Sequence, residues 1–567
     1  MKWYQEAIGY EIYPYSFKDS NRDGYGDLRG VIEKLDYLKT LGITLIWLCP
    51  VFQSPREDYG YDVSDFYTIE PVLGTNEDFR ELIEKAHEKG IRVIMDLVMN
   101  HVSSEHEWFK EAVRDPKSPY HDYFIFKKPV MKNGVRCVPN NWEGFFGGSV
   151  WTYVPALDEY YLHIFSDGMP DLNWECEALR QEMYRVARHY LDLGIDGFRM
   201  DAIAHLAKEP TFSDSLKSSE PVLDTDMFSN RDRLFDYLAE FRKEVTDRYP
   251  DVLTVGEVGG EVGTDGAIRY ADRRTGSLTM VFNFDTCWEN GAFGSLEKAD
   301  DEIRTNVVNL KRLLKKWYDA CHERCEMPLY WLNHDHPRVV SQYGSPKYRE
   351  KSAKMLATVL LFLYGTPFLY QGEELGMTNA DYMRPEDFYE DVDARRFAES
   401  HPDVPEDVLL RFFRRCSRIN ARTPMQWTPG PYAGFSEHEP YLHVNGNYPY
   451  VNAEEEINDP QSVFHYYRKA IALRKELNGL IRNGTLRFEY PADEDLLVAV
   501  HEDDEQELTL IANFRDTVRS LEVPAESEVI LGVSDAKMHG GKLTVGPYDA
   551  FLLKKLKKLL KNCEQKL

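Results

Sequence analysis

The sequence has no run of apolar residues long enough to span a membrane. Residues 1–14 show no basic region leading into an apolar stretch, so a protein kept in the cytoplasm is expected. Net positive charge is missing as well. A formal charge of −27 withholds the basic footprint that phosphate backbones require, which excludes nucleic acid as a partner. Cysteine is scarce and scattered, eight in 567 residues, as suits reduced thiols better than a disulfide framework. Cys321 and Cys325 flank His322 within one helical turn, but no second ligand pair lies nearby, so a plain helix surface is predicted there rather than a metal site. There is no internal repeat or low-complexity stretch. No glycine-rich phosphate fingerprint follows the first predicted strand, which disfavours a doubly wound nucleotide-binding sheet.

What is present describes a large globular protein. Hydrophobic residues make up 43% of the chain and charged residues 29%, and 567 residues exceed one ordinary core, so two or more domains are expected. The 13% aromatic content suits surfaces that stack on flat apolar faces such as sugar rings, although a Tyr-rich core would look the same. Short apolar runs alternate with amphipathic helical patterns up to about residue 478. The predicted strands are 8–13, 44–48, 92–97, 197–201, 253–257, 279–282, 329–332 and 367–370. The helical patterns cover 28–41, 76–89, 178–193, 231–248, 301–318, 350–363 and 463–477. Eight strands alternating with helices predict a closed (β/α)₈ TIM barrel, an α/β fold. A loop-rich insertion, 103–170, leaves the end of strand three, and a second long segment, 377–435, leaves strand eight. The barrel is assigned to 1–102 and 171–480. Alternating strands after residue 480 predict a C-terminal antiparallel β-sandwich, 481–567. Its last stretch, 554–567, is lysine-rich and amphipathic, and is read as a solvated terminal helix rather than a membrane anchor.

Carboxylates gather at the predicted strand ends. In Gly197–Asp201 the side chains alternate, so Arg199 and Asp201 point the same way. An arginine beside a carboxylate holds it ionised and oriented, as a nucleophile requires. Asp96 and Asn100 share one face, with His101 just beyond; Glu257 ends strand five; His334 and Asp335 end strand seven. A single Asp or Glu leaving a strand is more often a helix cap or a surface charge. Several together with two His on the catalytic face of a barrel predict an active site, and paired carboxylates are the machinery of glycoside cleavage.

These residues resemble the four motif regions of the α-amylase superfamily, glycoside hydrolase family 13. The segments are Asp96-Leu-Val-Met-Asn100-His101, Gly197-Phe-Arg199-Met-Asp201, Gly256-Glu257-Val258 and Asn333-His334-Asp335. The resemblance implies Asp201 as nucleophile, Glu257 as acid/base and Asp335 as a third carboxylate stabilising the distorted sugar. It places His101, Arg199 and His334 around the first glucose. Tyr59-Gly-Tyr61-Asp62-Val-Ser-Asp, Tyr370-Gln-Gly-Glu-Glu-Leu-Gly-Met and Asn420-Ala-Arg422-Thr-Pro-Met-Gln-Trp427 resemble the oligo-1,6-glucosidase and α-glucosidase branch. In that branch Asp62 and Arg422 are expected to pair and close the pocket, with Tyr61 stacked on the terminal glucose. An exo-acting, retaining enzyme on short α-glucosides is implied, as a monomer or homodimer.

Asp19, Asn21, Asp23, Tyr25 and Asp27 place oxygen ligands at alternate positions around a glycine turn, much like a calcium loop. The resemblance implies one structural Ca²⁺, or Mg²⁺, in that loop. Two departures bear on specificity. Ala202 follows the nucleophile where branch members acting on α-1,6 links typically carry Val, which favours α-1,4 cleavage, and His336 replaces the usual Gln. The alternatives are an α-1,6-specific glucosidase, a sucrose isomerase, a trehalose-6-phosphate hydrolase and, more remotely, a non-catalytic barrel.

Overall fold

In the computed structural model, residues 2–132, 134–259, 262–288, 293–299 and 302–557 are described. Eight parallel strands form one sheet: β1 Gly9–Ile12, β2 Leu45–Leu48, β3 Arg92–Val98, β4 Gly197–Asp201, β5 Leu253–Glu257, β6 Met280–Phe282, β7 Pro328–Leu329 and β8 Thr366–Tyr370, in the order β6-β5-β4-β3-β2-β1-β8-β7. The predicted barrel is there, but it is nearly rather than fully closed. Among the described residues no ladder joins β6 to β7; the gap is bridged by the Tyr330 hydroxyl, which donates to the Asn283 carbonyl at 2.6 Å. Strand seven is also shorter than predicted, because the chain turns away after Leu329, and His334 and Asp335 lie on the loop beyond it.

The barrel interior is a packed core, as such barrels require. Leu45, Trp47, Ile94, Leu253, Val255, Met280, Phe282 and Phe368 fill it in one buried cluster. Gly9 is needed at this level, since a Cβ there would stand 2.4 Å from the Phe368 ring. Each helix returns over the outside with one apolar face inward. Asn76–Glu88 shows how the local sequence sets the start: the Thr75 hydroxyl accepts from the Asp78 amide at 3.2 Å while the Asp78 carboxylate accepts from the Thr75 amide at 2.9 Å, a reciprocal cap. The first predicted helix is broken at Lys34 into Leu28–Glu33 and Leu35–Leu41.

The segment after β3 carries the helix Glu107–Arg114 and a three-stranded antiparallel sheet of Phe126–Lys127, Trp151–Val154 and Glu159–Leu162. At the C-terminus a five-stranded and a three-stranded antiparallel sheet share a buried cluster including Val498, Ile511, Leu521, Leu543 and Phe551. Helix Arg349–Leu361 is buried almost all round because it lies between the barrel and this C-terminal sheet. Cys321 and Cys325 are both buried, not on the exposed helix surface predicted for them. Only the start of the lysine-rich tail falls within the described residues, as the end of strand Ala550–Leu556; the terminal helix predicted for it lies outside them. No helix among the described residues is long and apolar enough to cross a membrane.

Candidate active site

Alternation along the strands builds the site. Ile94, Val255 and Trp47 face the apolar interior; two residues further along, the same inward face carries Asp96, Glu257 and Cys49. β4 lies between β3 and β5, with Arg199 in register with Asp96 and with Val255. One guanidinium therefore meets three carboxylates. Arg199 Nη1 donates to Asp96 Oδ1 and to Asp201 Oδ1, each at 2.6 Å, and Nη2 reaches Glu257 Oε2 at 2.9 Å. Asp96 is fixed from its other side by the Trp47 indole N–H at 2.6 Å. Ala202, next after Asp201, sits at φ 46° and donates its amide to Glu257 Oε2 at 3.0 Å. That left-handed turn links the two carboxyls.

Opposite them stands Asp335. His334 Nε2 contacts its Oδ2 at 3.0 Å, and Arg422 and Arg418 contact its Oδ1 at 2.8 and 3.3 Å. Here one expectation fails. Asp62 does not pair with Arg422. It turns under its own loop and accepts from Ser54 Oγ at 2.6 Å, the Glu57 amide at 2.8 Å and the Asp58 amide at 3.2 Å, because Gly60 at φ 107° folds the loop back on itself. Burial then pushes the Asp62 carboxyl up to about 6. The residue facing the arginines is Asp58, 3.0 Å from Arg418 and 3.9 Å from Arg422. Arg418 also binds Asp391 at 2.7 Å. Sequence reasoning missed Asp58, Arg418 and Asp391. Asp58 lies one position before the motif that begins at Tyr59, but three acids, Glu57, Asp58 and Asp62, stand within six positions, and only the path of the loop decides which one faces the pocket.

Together these groups border a cavity of about 320 Å³, lined among others by Asp58, Tyr61, His101, Asp201, Glu257 and Asp335, within the size range of small-ligand pockets. The inserted segment adds an aromatic wall of Phe145, Phe146 and Phe165, which sequence patterning did not single out. Tyr61 stacks on His334 with ring centroids 5.1 Å apart. The Tyr61 hydroxyl and His101 Nε2 are buried with no hydrogen-bond partner among the described residues. Buried polar atoms seek partners, and hydroxyls of a bound sugar can supply them. Of the other predicted residues, Arg199, His334 and Arg422 sit behind the cavity surface and hold the carboxylates in place.

The catalytic-domain model of the α-amylase family matches residues 11–484. The chain belongs to that family. It is a glycoside hydrolase of family 13, and its relatives lie in the oligo-1,6-glucosidase and α-glucosidase group. It is 41% identical to the oligo-1,6-glucosidase of Parageobacillus thermoglucosidasius, with 92% of each chain covered. It is 40% identical to an α-glucosidase of Pediococcus pentosaceus over 91% of this chain and 93% of that one. Among solved structures, the trehalose-6-phosphate hydrolase of Bacillus licheniformis superposes with a TM-score of 0.90 at 38% identity, covering 98% of this chain and all of the other.

The electrostatics of this glycosidase site are uneven. Burial pushes the Asp201 carboxyl well above the ordinary carboxylate range; Arg199 opposes the shift, and Glu257 and Asp96 reinforce it. Three carboxylates gathered on one guanidinium place more negative than positive charge there, which is why Glu257 and Asp96 add to the push that burial gives Asp201. Asp335 is the reverse. Burial alone would raise it, but His334, Arg422 and Arg418 outweigh burial and hold it well below the usual range. Burial lowers His101, with Asp171 opposing, so its imidazole is neutral.

The loop before the first helix has oxygen donors at alternate positions, with Gly24 at φ 90°, where a Cβ would stand 2.6 Å from the Glu439 carbonyl oxygen. Asp19 accepts from the Asn21, Arg22 and Gly24 amides at 2.6–3.0 Å and from Ser436 Oγ at 2.6 Å. Asp27 caps the helix through the Gly30 amide at 2.7 Å, and Asp23 accepts from the Tyr25 amide at 2.9 Å. An all-oxygen donor set around such a turn suits a hard cation.

Proposed function

We propose that this hydrolase is an exo-acting, retaining α-glucosidase that releases glucose from the non-reducing end of short α-glucosides, with α-1,4 links preferred. The observation that carries the reading is the shared guanidinium. Asp201 and Glu257 both bind Arg199 within 2.9 Å, which favours the roughly 5 Å carboxyl spacing of retaining enzymes over the wider spacing of inverting ones. Asp201 attacks the anomeric carbon while Glu257 protonates the departing oxygen. A glucosyl ester forms on Asp201 and the aglycone leaves as an alcohol. Glu257, now ionised, takes a proton from water as that water displaces the ester. Asp335, held ionised by His334 and the two arginines, stabilises the positive charge that develops on the sugar. The exo mode rests on the Asp58–Arg418–Asp391 wall, which closes one side of the cavity.

The linkage preference rests on Ala202, which lines the cavity with a small side chain and leaves room beside the departing sugar. A neutral sugar is favoured over a phosphorylated one, because the only cation among the described lining residues, Arg418, is taken up by Asp58, Asp335 and Asp391. The test is sugar analysis after incubation with maltose, isomaltose, sucrose, trehalose and trehalose 6-phosphate. Glucose from maltose faster than from isomaltose is expected. A strong preference for isomaltose would reject the linkage, isomerised sucrose or cleaved trehalose 6-phosphate would reject the substrate class, and no glucose from any of them would reject the reading.

We further propose one structural Ca²⁺ at the loop, held by Asp19, Asn21, Asp23 and Asp27 side chains and the Tyr25 carbonyl. Its task would be to pin this loop against the Ser436 segment. Chelation should lower Tm and added Ca²⁺ restore it; a Tm indifferent to both would dismiss the ion.

A further inference from the structure

Beneath the cavity, His334 lies between two carboxylates. Its Nδ1 is 2.7 Å from Glu11 Oε1 and its Nε2 is 3.0 Å from Asp335 Oδ2. An ionised carboxylate can only accept a hydrogen bond, so an imidazole that bonds one at each nitrogen carries both protons. Glu11 sits on β1, two strands round the barrel from β7, and is buried along with His334. Its Oε1 accepts from three donors at once: His334 Nδ1, the His334 backbone amide at 3.2 Å and the Cys49 thiol at 3.4 Å. An oxygen facing three donors is best satisfied as a charged acceptor. Among the described residues, Glu11, Cys49 and His334 are also the one trio of His, Cys, Asp or Glu whose ligand atoms lie within 4.8 Å of one another.

We propose that Glu11 is a positioning residue of this enzyme: it holds His334 as a doubly protonated imidazolium whose Nε2–H fixes and stays bonded to Asp335. The inference rests on the reading of Asp335 as a working carboxylate. Asp335 is partly open to the cavity, and its position is set from one side by Arg422 and Arg418 and from the other by this imidazolium. The remaining groups around His334 do not supply its second proton. Cys49 is 3.7 Å from Nδ1, Tyr13 and Tyr61 stack on its two faces, the Trp47 ring meets it edge-on, and Arg422 Nε donates to its carbonyl at 3.1 Å. Burial pushes the Glu11 carboxyl up, the bond and the charge of His334 oppose that most strongly, and Arg199 and Asp96 act on it only through space, in opposite directions. Glu11 is therefore the counter-charge on the Nδ1 side.

Glu11→Gln keeps shape and an accepting oxygen but removes the charge. Two measurements follow, and only one needs activity. Histidine-selective NMR, with His334→Gln for assignment, should show His334 doubly protonated at neutral pH in the wild type and losing a proton at least about one pH unit lower in Glu11→Gln. The alkaline limb of the kcat/KM profile on maltose should move down with it, kcat falling more than KM rises. A folded Glu11→Gln whose His334 titration matches the wild type would overturn the proposal, because Glu11 would then carry no charge. Altered titration with an unchanged pH profile would overturn it too, by cutting the link to Asp335. Cys49→Ala, which leaves both carboxylates in place, should move both less than Glu11→Gln does; an equal or larger shift would overturn the assignment of the counter-charge to Glu11. If Asp335→Asn retained near-normal turnover, the reading of Asp335 would fail instead, while the NMR result would still stand or fall by itself.

Discussion

Asp201 and Glu257 share a guanidinium but differ in surroundings, and that difference supports the tasks proposed for them. Asp201 is buried, its Oδ1 bound to Arg199. Glu257 is more open and takes an amide from the turn that follows Asp201. Asp201→Ala should cut kcat on maltose at least ~10³-fold with the fold intact, as removal of a nucleophile does; near-normal turnover would take the nucleophile's task away from it. Glu257→Gln should lower turnover of maltose about 10²- to 10⁴-fold but affect aryl glucosides far less, since their leaving group needs no proton. Equal losses on both substrates would contradict an acid at that position.

The segment after β8 decides how the pocket ends. Helices Val392–Ser400 and Glu406–Cys416 pack around a buried cluster that includes Phe388, Leu409 and Phe413, and the chain that leaves them presents Arg418 to the cavity and sets Arg422 behind it. Arg418 meets Asp58, Asp335 and Asp391 with only 13% of its side chain exposed. Removing it takes the nearest cation from Asp58 and Asp391, while Asp335 keeps His334 and Arg422, so Arg418→Ala should cost about 3–5 kcal/mol of stability and raise KM for maltose. Arg418→Lys should recover little, because an ammonium cannot span three partners as a planar guanidinium does. Thermal unfolding and maltose kinetics check both; a silent Arg418→Ala would remove the wall from the account of exo action. At the same end of the barrel, in the loop after β1, Asp27 has two tasks, capping the first helix through the Gly30 amide and belonging to the proposed ion site. Loss of the cap alone by Asp27→Ala should cost about 0.5–2 kcal/mol, measurable with chelator present.

Across the whole molecule, buried titrating groups set opposing pH limits. His501 of the C-terminal sheet contacts the Phe362 carbonyl at 3.0 Å, and burial lowers it to about 3. Its unfolded value is about 6.5. Between these values the unfolded chain binds more protons, so stability is lost as pH falls through this window. Buried carboxyls act oppositely: burial raises Glu373 to about 8, and the stability tied to its proton disappears as pH rises through that value. His501→Gln should therefore lose less stability than the wild type between pH 6.5 and 4, followed by Tm at each pH; parallel curves would show that His501 contributes nothing to the acid limb.

The sequence by itself determined the eight-strand order, the positions of most elements and the residues at the strand ends, because alternation and helical period are local properties that follow from where apolar side chains fall. The same periodicity puts Arg199 and Asp201 on one face. Only the tertiary structure decided which acid meets the arginines. Asp58 and Asp62 stand on the same loop, and a backbone path set by Gly60 and by packing against Arg418, 360 residues away, chose Asp58. Arg418, Glu11 and the Phe145–Phe146–Phe165 wall were illegible for the same reason. Each acts through a contact with a distant part of the chain, and such contacts exist only once loops from the ends of several strands have closed over a common core.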